Sequence, residues 1–79
     1  MKKGTIIKGS YVIGIFESMH NSNYRIKLVK YGDISYLFPN SFIELKNLKI
    51  PNRKEKEEYK KFLLKHGFSY YRGKVTKEL

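Results

Sequence analysis

No cysteine occurs among the 79 residues. That excludes a disulfide framework and a thiolate metal site, and it fits a reducing compartment. No apolar run approaches the roughly 20 residues that a membrane-spanning helix needs. The first 16 residues set two lysines before an apolar stretch, as an export signal does, yet Lys8, Ser10 and Gly14 interrupt that stretch. No small-residue cleavage site follows it. The expectation is a cytoplasmic protein with no membrane partner. Histidine is scarce too: His20 stands in a polar stretch and His66 on the apolar side of a helical pattern. Two distant histidines do not fill a metal site. Nor does any spacing set a base beside a nucleophile. No enzymatic activity, cofactor or metal is expected.

Negative charge is the other shortage. Seven Asp and Glu face 17 Lys and Arg, for a net charge of +10. Such a balance favours acidic partners, of which nucleic acid is the commonest. The chain is also rich in Lys, Asn, Ile, Tyr and Phe and poor in Ala. An AT-rich genome encodes the same bias, which is the competing source of part of the lysine excess. The length allows one domain, 1–79. So small a domain buries only about 60% of its unfolded surface. Its stability must come from packing seven Tyr, five Phe and the Ile, Leu and Val set.

The first half of the chain reads as strands. Thr5 to Lys8 is a short apolar piece, and Tyr11 to Phe16 is β-branched and aromatic, with Gly14 marking a bulge or bend. "ESMHNSN" is a polar loop. Tyr24 to Tyr31 alternates, Gly32 closes a hairpin, and Ile34 to Phe38 returns. Pro39 cannot donate to a ladder, so pairing is expected to stop there, with Phe42 to Leu45 as a last strand. Asn52 with Glu55 three residues on forms a capping box, and Gly67 is a helix stop. Tyr59, Phe62, Leu63 and His66 share the apolar face of that helix. Phe68 to Tyr71 is a short strand or an extended piece. The expected fold is mainly β with one helix: a five-stranded antiparallel small barrel over 5–45, a C-terminal helix over 52–67 and a mobile tail over 72–79. Ile26, Leu28, Leu37 and Phe62 are the predicted core.

The segment "YRIKLVKYGDISYLFPNSFIEL", Tyr24 to Leu45, resembles the second half of a Src-homology-three domain. That family has an aromatic-led strand, a tight hairpin containing Gly, a return strand and then Phe-Pro-Ser-Asn-Tyr-Val. Here Tyr31-Gly32 stands at the hairpin and "FPNSFIEL" at the proline turn and final strand. The resemblance implies the small barrel. It also implies a peptide groove bordered by Pro39 and Phe42. The family's Ala-Leu-Tyr-Asp-Tyr opening, its tryptophans and its acidic loop are missing, so the barrel is carried over and the proline-peptide ligand is not.

Four groups of residues could carry function, each beside a structural reading. Arg25, Lys27, Tyr31 and Tyr36 are expected on one hairpin face, able to hold phosphates and stack bases. The aromatics could equally pack beneath the helix while the cations snorkel outward. Lys54, Lys61 and Lys65 form a helix stripe that could meet phosphates or simply be solvated, with Glu57 supporting Lys61. Tyr71 and Arg72, in "YYRGK", suit single strands or a frayed end. Leu48 and Leu64, with Pro39 and Phe42, are candidates for an exposed apolar patch. The leading expectation is a small basic protein that contacts the nucleic-acid backbone with low sequence specificity. The alternative is an interaction adaptor or inhibitor, from a mobile element, that docks on an acidic surface of a larger protein.

Overall fold

Apolar residues that alternate in both directions let the strands bury two faces. The computed structural model describes residues 1–77. Four antiparallel strands, β1 (Ile6–Lys8), β2 (Val12–His20), β3 (Asn23–Tyr31) and β4 (Phe38–Glu44), pair in the order β1-β2-β3-β4. A 3-10 turn at Leu45–Asn47 leads to α1 (Arg53–Lys65). After it, β5 (Phe68–Tyr71) and β6 (Lys74–Lys77) form a separate two-stranded sheet. Ile6 and Ile15 face α1 and pack with Tyr59, Phe62 and Leu63. Ile7 and Phe16, one position on, face the other way and pack with Ile26, Val29 and Ile43.

The expectation of a mainly β chain with one helix is met; a closed five-stranded barrel is not, because the four-stranded sheet is open. The helix is not the final element either, since a hairpin follows it. Positions 72–77 of the expected tail carry the turn and strand of that hairpin; positions 78 and 79 lie outside the described residues. Arg72 and Gly73 both have positive φ, 47° and 82°, as a tight two-residue hairpin turn requires.

Within the sheet, β2 continues through Glu17–His20, where a loop was expected, and turns at Asn21 with φ 55°. Ile34–Phe38 is not the return strand. Only Phe38 belongs to β4, and residues 32–37 form a loop from which Ser35 gives its carbonyl to His66 Nε2 at 2.7 Å. Pro39 does not end pairing. It lies inside β4, an edge strand, where a missing N–H need not break a ladder.

Two bulges set which residues share a face. Glu17 is the extra residue of β2, between the pairs Phe16↔Ile26 and Ser18↔Arg25. In β3 the extra residue falls between Lys27 and Lys30, where Leu28 has φ 53°. Gly14 sits opposite: a Cβ there would lie 3.0 Å from Ile26 Cδ1 and 3.1 Å from the Lys27 carbonyl. The bulge therefore depends on a glycine in β2 but is not in β2. Ile26 and Phe62 are buried as expected, whereas Leu28 and Leu37 are half-buried against the helix-side cluster.

The helix docks on this irregularity. Tyr59 Oη donates to the Leu28 carbonyl at 2.6 Å, supplying a donor at the bulge. Burial pushes the Tyr59 phenol far above its ordinary range, with a further push from Tyr70. Because the folded pKa is raised, this group's contribution to stability is complete below the unfolded value near 10 and is lost as pH rises above it. Tyr59→Phe is expected to cost about 1–3 kcal/mol at neutral pH by leaving that carbonyl unbonded. It should also flatten the fall in stability above about pH 10. Denaturant unfolding of both chains at neutral and alkaline pH measures the two effects.

At the helix start, Asn52 Oδ1 accepts from the Glu55 N–H at 2.8 Å and Glu55 Oε1 accepts from the Asn52 N–H at 2.9 Å. Lys8 bonds the same carboxylate, and these partners hold the Glu55 carboxyl below its ordinary value. Asn52→Ala should lower the unfolding free energy by about 1 kcal/mol, read from the urea midpoint.

Candidate functional site

The β3 bulge separates the residues expected to work together. Tyr31 packs against the cluster of Ile26 and Val29, and its hydroxyl bonds Ser41. Arg25 lies on the opposite face from Ile26, beside Phe42, its partner in β4. Its Nε is buried without a hydrogen bond and stands 3.9 Å from Glu17 Oε2. Lys27 is half-buried. Tyr36 is exposed in the 32–37 loop and meets Phe38 edge-on at 4.7 Å.

On α1, Lys54, Lys61 and Lys65 are exposed. Lys61 and Lys65 border a recess with Lys30, but Asp33 and Glu58 line it too. The apolar candidates differ in exposure. Leu64 and Phe42 are 55% and 54% exposed, while Leu48 is half-buried against the sheet cluster and Pro39 lies on the β4 edge. Ser18 Oγ lies 3.0 Å from His20 Nε2, an adjacency that the extension of β2 creates. No carboxylate hydrogen-bonds that ring among the described residues, and no group of three or more His, Asp or Glu there could hold a metal ion. Among the described residues no helix is long and apolar enough to cross a membrane.

In one groove every charged lining residue, among the described residues, is a cation. Its walls are the N-terminal segment from Lys2 to Ile6, the helix residues Lys56 and Lys60, and the turn from Tyr70 to Gly73. Lys2, Lys3, Lys56, Lys60 and Arg72 give it five cations, and no carboxylate lines it among the described residues. Three acidic side chains are engaged away from it: Glu55 with Lys8, Glu17 beside Arg25, and Glu44 at 3.4 Å from Lys46. Glu57 lies 3.7 Å from Lys60 at the helix surface. Lys56 and Lys60 are four residues apart, so one helix face carries both into the groove.

Backbone packing holds the walls together. Gly4 is buried, has φ 97°, and donates its N–H to the Phe16 carbonyl at 2.9 Å. It rests directly on Gly73, with no room for a side chain between them. Tyr70 Oη donates to the Gly4 carbonyl at 2.6 Å. Burial raises the Tyr70 phenol above its ordinary value. Lys60 Nζ stands 5.9 Å from the centre of the Tyr70 ring. Tyr71 is 68% exposed, with the Arg72 guanidinium 5.1 Å from its ring centre.

Of the residues singled out from the sequence, only Tyr71 and Arg72 line this groove. Lys2, Lys3, Lys56 and Lys60 were missed. The i,i+4 spacing of the helix pair was visible; the approach of the N-terminal lysines was not, since it depends on Gly4 meeting Gly73. Comparison of the chain with models of known families, with curated proteins and with solved structures finds no match to any of them.

Proposed function

We propose that the chain is a small nucleic-acid-binding protein that grips the phosphate backbone with little regard for sequence. The observation that carries this reading is the groove in which five cations meet two tyrosines, with no lining carboxylate among the described residues. A fixed cluster of like charge is self-repelling and gains from an anion whose charges repeat along a chain. Phosphates carry no base identity, so contacts of this kind position a strand without reading it. The small-barrel reading of the fold also remains a proposal. It is supported by the bridge Lys8↔Lys49, which brings the chain after the 3-10 turn to the outer edge of β1.

Titrating salt against binding tests the reading. Each neutralised phosphate releases condensed counterions, so five contacts give a log–log slope of about −4.5 on duplex and −3.5 on a single strand. No measurable binding at low salt would end the nucleic-acid reading and promote the protein-interaction alternative. Binding that ignores salt would do the same.

A further inference from the structure

Resting on the nucleic-acid reading, we infer that the groove takes an unpaired strand in preference to a duplex, with a base stacked on Tyr71. Adjacent strand residues point to opposite sides. In β5 that alternation gives the two tyrosines different tasks. Tyr70 turns inward and ties its hydroxyl to Gly4, fixing the wall. Tyr71 turns outward, pairs across the hairpin with Lys74 and stays 68% exposed. An aromatic ring left open beside five cations has a π-face to offer, and the bases of a duplex already cover one another. A single strand can lay its phosphates along Lys2, Lys3, Lys56 and Lys60 and turn one base out onto the ring. Every base has a π-face, so this stacking adds affinity without selecting sequence.

Arg72 completes the platform. Its guanidinium lies over the Tyr71 ring, a planar cation that can stack on a base and face a phosphate. The tight turn restricts both residues, since Arg72 and Gly73 are held at positive φ. Lining from three chain segments makes the site concave. Duplex phosphates lie on a convex outer surface, which leaves the bases no way to reach the Tyr71 ring.

The test uses the full chain and fluorescent oligomers of about 12 nucleotides, within the range one small domain covers. Oligothymidylate, oligouridylate and a mixed duplex of the same length are titrated at matched low salt. Either unpaired oligomer should bind more tightly than the duplex. Tyr71→Ala should weaken unpaired binding by roughly 5- to 150-fold, the equivalent of one lost stack, and weaken duplex binding by a much smaller factor. Tyr71→Phe should bind as the parent does, and Tyr71→Leu should behave as the alanine variant. The ring is exposed, so all three variants should keep the parent's thermal midpoint. Duplex binding as tight as that of both unpaired oligomers, or equal losses on both substrates in Tyr71→Ala, overturns the inference while leaving phosphate binding in place. Failure of every oligomer to bind at low salt overturns the underlying reading as well.

Discussion

Gly4→Ala should remove about 2–5 kcal/mol of folding stability, combining the cost of a strained backbone with that of overpacking. At φ 97° an L side chain is disfavoured whatever the space around it. The space is also absent: the new Cβ would run into the Gly73 carbonyl, with its carbon at 2.9 Å and its Cα at 3.0 Å. Both atoms are backbone of a tight turn, so neither can swing aside as a side-chain tip could. A domain this size holds roughly 4–12 kcal/mol in all, so the loss is a large share of it. Gly73→Ala is the matched control. Its φ is also positive, 82°, but the nearest atom to an added Cβ, the Lys3 carbonyl oxygen, is 4.0 Å away. That variant should lose only the backbone term, about 1–2 kcal/mol. Urea unfolding of the two variants decides the matter. Equal losses would mean that the two glycines are not in contact and that the groove is not walled as described.

This contact explains why part of the molecule could be read from its sequence and part could not. The helix was legible because its signals are local. Asn52 and Glu55 cap it, Gly67 follows it, and Tyr59, Phe62 and Leu63 fall on one face and are buried. The sheet was legible only as a set of strands. Its facing depends on the bulges at Glu17 and Leu28, and those reflect how β2 and β3 fit each other. Simple alternation therefore put Arg25 and Tyr31 together, and the Leu28 bulge parts them. Pro39 misled for a related reason: its missing N–H ends a central strand but is tolerated on an edge. Glu17, Ser18 and His20 are polar, and that polarity alone read as loop although β2 continues through them. For the groove, "YYRG" pointed to Tyr71 and Arg72. Lys2 and Lys3 lie nearly a full chain length away, and no periodicity could have joined them to it.

The helix lysines offer the sharpest division between the groove and a merely basic surface. Lys56→Gln with Lys60→Gln removes two charges from the groove wall. Lys61→Gln with Lys65→Gln removes two from the same helix, outside the groove. Gln and Lys have similar helix propensities, so both pairs should fold as the parent does. Net charge falls from +10 to +8 in each, as two cations are lost from the printed total. A protein attracting polyanions through its overall field would respond alike to both pairs, since the field depends on total charge. Contacts in the groove respond differently. Losing two phosphate contacts on a single strand should reduce the magnitude of the log–log salt slope by about 1.4. At 50 mM salt the corresponding affinity loss is roughly 10²-fold. The Lys61 and Lys65 pair should leave the slope within about 0.3 of the parent value, because no phosphate contact is removed. Anisotropy titrations at four salt concentrations separate these outcomes. Equal slopes for the two double variants would show that charge acts from a distance, and the groove would lose its claim to be the site.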